Sequence, residues 1–86
     1  MPCVSQFYGV SIYFYYNDHH PPYFHARYGD EEGVFSIDHL DMMQGYLPRR
    51  ARGLVEEWAG KHGAELMADW NLARAGQPLV DIAPLD

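Results

Sequence analysis

The residues with the most chemistry in this chain crowd into Asp18-His19-His20-Pro21-Pro22-Tyr23-Phe24-His25-Ala26. Three of the five histidines fall within seven residues, on both sides of a Pro-Pro step. Consecutive prolines fix two φ angles and remove two backbone donors, so the stretch is stiff before folding begins. Stiff backbone suits a site that must hold imidazoles in one geometry. Three readings follow. His19, His20 and His25, with Asp18 beside them, offer the imidazole and carboxylate ligands that a transition metal such as zinc accepts. That spacing matches no standard zinc signature, and no Cys-x-x-Cys pair supports it. Alternatively, His19 and His25 act as general base and general acid in a metal-free, ribonuclease-like site. Arg27 or the Arg49/Arg50 pair would then stabilise the phosphorane charge, and Tyr23 would orient the attacking group. The third reading is structural: the histidines bond backbone carbonyls and pack on aromatic rings.

The elements that must position these residues are few. Eighty-six residues make one small domain, 1–86, with a modest core. A domain of that size gains from self-association or from a partner, and a homo-oligomer is one expectation. Hydrophobic residues make up 48% and aromatic residues 15%, a composition that argues against disorder. Twelve acidic residues oppose six Lys and Arg, giving a net charge of −6. Nucleic-acid binding through bulk charge is therefore not expected, because phosphate contacts need a basic face. Arg49, Arg50 and Arg52 could still form a small basic patch. The single cysteine, Cys3, excludes an internal disulfide and fits a reducing compartment. No signal-peptide pattern and no spanning apolar run is visible, so a cytoplasmic protein without membrane contact is expected.

Val10 to Asn17 alternates as a strand, with Val10, Ile12, Phe14 and Tyr16 on one face. Cys3 to Tyr8 reads as a shorter strand or an extended arm. Tyr23 to Tyr28 is extended again, with Tyr23, His25 and Arg27 on one side. Gly29 to Glu32 reads as a solvated hairpin turn, and Gly33 to Asp38 as the returning strand. Asp41 to Gly45 reads as a loop. Pro48 opens a helix, with Ala51, Leu54, Val55, Trp58 and Ala59 as its apolar stripe. Gly60 and Gly63 weaken it, and Glu65 to Ala75 is helical again, with Leu66, Trp70 and Ala73 on one side and Gly76 as C-cap. A single helix from Pro48 to Ala75 would be about 42 Å long. Strands of this length span only about 23 Å, so two helices or one sharp kink are expected. Leu79 to Ile82 reads as a short last strand at the sheet edge. The fold class is thus α+β: an antiparallel sheet of three to four strands (1–40), a helical portion of one or two helices (47–76) and a short C-terminal strand (78–84).

Met1-Pro2, Ser5 to Gly9, Asp18-His19-x-Pro21-Pro22-x-Phe24-His25-Ala26, Tyr28-Gly29, Leu47 to Ala51, Glu57-Trp58-Ala59 and Gly76 to Leu79 occur together and in order. In these the chain resembles a family of small bacterial proteins, domain of unknown function four-one-six-zero. The resemblance covers nearly the whole chain, and the His-Pro-Pro-x-Phe-His core is its most specific piece. It implies a free-standing bacterial cytoplasmic domain, often encoded in a two-gene operon beside another small protein. Members carry labels such as toxin–antitoxin component or transcriptional regulator. His19 and His25 match the family's histidines by position. Tyr23 stands where the family often has another histidine, and His20 where it has a variable residue.

The resemblance favours a protein–protein module whose partner is a small protein encoded nearby. Tyr13, Tyr15, Tyr23 and Tyr28 are the candidate contact residues, since Tyr and Arg are favoured at interface hot spots. The competing reading is that these tyrosines fill a small core with their hydroxyls outward. Arg49, Arg50 and Arg52 oppose the dipole preference at a helix N-terminus, and pairing with acidic residues across the fold is the expected compensation. His39 and His62 read as isolated, Trp58 and Trp70 as core, and Cys3 as lacking the neighbouring base that a nucleophile needs.

Overall fold

Among the described residues, five antiparallel strands in simple sequential order make the sheet, β1-β2-β3-β4-β5. They are β1 Cys3–Phe7, β2 Val10–Tyr13, β3 Tyr23–Tyr28, β4 Glu31–Ser36 and β5 Met42–Gly45. Two helices follow, α1 Arg49–Lys61 and α2 Gly63–Arg74. This is the architecture of a computed structural model that describes residues 2–16 and 21–86. Asp18, His19 and His20 lie outside the described residues, so the site readings that include them are not addressed by it.

The fold is α+β as expected, but the strand count is five rather than three to four. The unexpected strand is β5, which the sequence presents as a loop. Met42-Met43-Gln44-Gly45 has neither β-branched nor aromatic residues, so side-chain preference gives no signal. The strand exists because its backbone pairs with β4, Gly33 opposite Gly45 and Phe35 opposite Met42, with a register shift between. Met42 also packs on the core.

The hairpins explain the register. Tyr8 and Gly9 both have positive φ, 48° and 85°, which matches the twist that a two-residue hairpin loop needs. The β3–β4 turn is Gly29-Asp30, with Tyr28 opposite Glu31. Strand β2 stops at Tyr13, four residues before the expected end. Phe14 continues the buried face, whereas Tyr16 is exposed.

One face of the sheet is the core face. Val10, Ile12, Phe24, Ala26 and Phe35 meet Ala51, Val55, Trp58 and Ala59 of α1 and Leu66, Trp70 and Ala73 of α2 in one buried cluster. The helices are separate, as the glycines suggested. His62 breaks them with φ −128° and ψ 27°. It is not isolated: its ring lies against Trp58 and its Nδ1 is 2.6 Å from Glu65 Oε1. Gly76 follows α2 with φ 70°, as expected of the residue after a helix end. No helix among the described residues is long and apolar enough to cross a membrane.

Residues 77–86 form a strap rather than the expected strand. Its backbone makes one bond to β1, from Ile82 N–H to the Val4 carbonyl at 2.8 Å. Three further bonds go to the helices, one of them from the Gln77 N–H to the Leu72 carbonyl at 2.9 Å. The Val80 N–H donates to Asp69 Oδ1, and the Trp58 indole donates to the Ala83 carbonyl, both at 2.9 Å. Pro78 and Pro84 supply no N–H. The Val80 N–H is committed to a helix side chain, and among the described residues only Ile82 bonds the β1 backbone. Ile82 and Leu85 are buried beneath it.

Candidate functional site

The face of the sheet turned away from the helices carries the polar cluster. Alternation along β3 places His25 and Arg27 there, and pairing brings Tyr13 of β2 opposite His25 and Glu32 of β4 opposite Arg27. Glu32 is the organising group. Its Oε1 accepts from the Tyr13 hydroxyl at 2.7 Å and from an Arg27 terminal nitrogen at 3.3 Å. Its Oε2 lies 3.0 Å from His25 Nδ1. A carboxylate only accepts, so Nδ1 is the donor, and Nε2 of the neutral ring presents a lone pair.

Aromatic rings enclose this imidazole. Tyr13 stacks on it at 5.7 Å, Tyr15 meets it edge-on at 4.3 Å and Tyr23 at 5.5 Å. His25 is consequently 8% exposed, although its strand turns it to the face opposite Phe24 and Ala26 of the core. Its Nε2 is buried and has no hydrogen-bond partner among the described residues. A buried polar atom is costly unless a protein group, a water or an ion pairs with it. The Arg27 guanidinium lies 5.5 Å from the Tyr13 ring centroid, within cation–π range.

The electrostatics follow from these contacts. The Tyr13 hydroxyl, with His25 and Arg27, holds the Glu32 carboxyl below the usual carboxylate range against the opposing effect of partial burial. Burial and the adjacent Glu32 push the Tyr13 phenol well above its ordinary value. Its hydrogen bond to Glu32 raises the Arg27 guanidinium. The cluster therefore holds a fixed carboxylate and a phenol that stays protonated.

Of the expected site residues, the structure brings together His25, Tyr13, Tyr15 and Tyr23. Tyr28 alternates to the core side, and both it and Tyr23 pack against the buried cluster, Tyr23 with its ring 5.2 Å from that of Trp70. The four tyrosines are thus not one surface, and Tyr13 is 5% exposed. Arg49 and Arg50 occupy the first turn of α1, and neither is among the contacts of His25, which lies on β3. They are exposed and form no ion pair among the described residues, contrary to the expected pairing; only Arg52 pairs, with Glu56. The arginine that accompanies His25 is Arg27. Among the described residues no three His, Cys, Asp or Glu side chains converge to hold a metal ion.

Glu32 was missed by reading 29–32 as a solvated turn. The signal was present in the spacing. A two-residue turn at Gly29-Asp30 pairs Tyr28 with Glu31 and hence Arg27 with Glu32.

Fold and site together define a small α+β domain, with two helices on one sheet face and a carboxylate-anchored histidine on the other. The chain belongs to the family described as Domain of unknown function (DUF4160), whose model matches residues 9–71. The match spans β2 to most of α2 and includes every residue of the cluster. No curated protein and no solved structure matches the chain.

Proposed function

We propose that the protein is one member of a two-gene, toxin–antitoxin-like pair and acts by protein–protein contact through the His25 face of its sheet. The observation that supports this reading is the half-buried Tyr15 and Tyr23 beside the exposed Arg27, which Glu32 fixes together with the buried Tyr13. Tyr and Arg are the residue types that dominate interface energetics. A surface locked before binding loses little side-chain entropy on contact. The partner is a small protein encoded nearby. Co-expression and pull-down of the neighbouring gene product tests the proposal. Arg27→Ala combined with Tyr15→Ala is expected to cut retention at least tenfold. Tyr8→Asn, on the exposed β1–β2 turn, should leave retention unchanged. Equal retention by the folded double variant, or none by the wild type, overturns the reading.

A second reading is supported by His25 Nε2. A carboxylate on Nδ1 is the arrangement that orients metal-ligating and proton-transferring histidines. In this reading Nε2 serves a transition metal such as zinc together with His19 and His20, or serves metal-free acid–base chemistry with His19. Elemental analysis of untagged protein separates the two forms. Near-stoichiometric metal, lost in His25→Ala, is the expected outcome for the metal form, and metal-free wild type eliminates it.

A further inference from the structure

The two edges of the sheet differ. The strap lies against β1, whereas no element among the described residues lies beyond β5. An edge strand presents unpaired N–H and C=O groups and is a template for pairing with another chain. On β5 and just after it, Met43 is 40% and Tyr46 59% exposed, and Gln44 and Gly45 are exposed too.

The charges flanking β5 have an order. Asp38 and Asp41 precede it and are exposed. Arg49 and Arg50 follow it, exposed and without an ion pair among the described residues. The first turn of α1 has no acidic residue, and Pro48 gives it no side-chain cap. The acidic flank and the basic flank are therefore complementary to each other, across one strand.

We infer that β5 is the dimerisation edge of this chain and that its occupant is β5 of a second copy, paired antiparallel. Antiparallel pairing about a two-fold axis between Met43 and Gln44 sets Asp41 beside the partner copy's residue 46 and carries Asp38 toward the partner copy's basic flank. Parallel pairing would set acid on acid and arginine on arginine. Charge order thus selects the antiparallel, isologous arrangement. The strap crosses the β1 edge at Val4, so β5 is the edge that no other element approaches among the described residues. The result is a continuous ten-stranded sheet. It leaves the His25 face of each copy free, so it does not depend on the partner proposed above.

The ladder is short, four residues with a register shift at Met43, so the dimer is weak. Sedimentation equilibrium of the untagged full chain, from about 1 µM to about 1 mM, tests it. A monomer–dimer equilibrium in the micromolar range is expected. Met43→Lys, at an exposed position, and the Arg49→Asp/Arg50→Asp pair should each weaken it at least tenfold. Adding Asp38→Arg and Asp41→Arg to the arginine reversals should restore it. A monomer throughout that range overturns the inference. So does a dimer indifferent to Met43→Lys, or charge reversals that are not rescued.

Discussion

Gly45→Ala is expected to destabilise the protein by about 3 kcal/mol or more. Gly45 has φ 83°, a conformation that costs a residue with a Cβ about 1–2 kcal/mol. The added Cβ would also land on the carbonyl oxygen of Glu32. That carbonyl accepts from the Tyr46 N–H at 3.1 Å, so it cannot retreat without breaking the end of the β4–β5 pairing. A loss of this size lowers the melting temperature of a domain this small by roughly 12–24 °C. Gly53→Ala is the matched control. Gly53 lies inside α1 with nothing near a new Cβ, and alanine there should stabilise by about 0.5–1 kcal/mol. Thermal unfolding of both variants checks the opposite signs. An unshifted melting temperature for Gly45→Ala would refute the close approach of β5 to Glu32.

Glu32→Ala is expected to cost about 2–4 kcal/mol. It removes the acceptor of the Tyr13 hydroxyl and of His25 Nδ1, and both donors are largely buried. Each buried donor left unsatisfied costs about 1–3 kcal/mol. Arg27 adds little, because its side chain is 49% exposed. The pH dependence has a definite sign. Glu32 is held below its unfolded value of 4.5. Its contribution is therefore full above that value and drains away as pH falls through it toward the lower folded value. Asp69 has the opposite sign. Burial raises it above 3.8, its Oδ1 accepts from Val80, and its Oδ2 has no partner among the described residues. Its ionised form is the disfavoured one, so acidification relieves a cost as the folded state takes up the proton. Urea unfolding between pH 7 and about pH 3 is expected to show stability falling on acidification below the unfolded Glu32 value in the wild type. Glu32→Gln should flatten or reverse that slope, and Asp69→Asn should steepen it. An unchanged slope in Glu32→Gln would exclude the carboxylate as the organising charge.

The strands rich in aromatic and β-branched residues were legible before the structure was known. So was the helical stripe, because both announce their period. Tyr23–Tyr28 has the boundaries its alternation suggests, and the Gly60–Gly63 weakness does separate two helices. Strand β5 and the strap were not legible for one shared reason. Their conformations are set by which backbone groups other segments leave available, and side-chain type does not encode that. Half of the site was legible as well. His25, Arg27 and Tyr23 share a strand face by simple alternation, whereas Glu32 enters through pairing across a turn. The histidine-centred reading of the sequence looked along the chain to His19 and His20, while the contacts made by His25 run across the sheet.

The strap described above touches β1, α1 and α2 at once, through Val4, Trp58 and Asp69. Neither it nor β1 falls within the stretch that the family model covers. Yet Phe7 of β1 lies 5.3 Å from the Trp58 ring, and Ile82 and Leu85 help close the core. The segment that defines membership is thus smaller than the cooperative unit. A chain trimmed to residues 9–71 would open both flanks of Trp58 and leave β2 as a raw edge. The two outlying pieces act as a clasp, meeting each other at Val4 and Ile82. A relative that lacked one of them would have to cover the same tryptophan by other means.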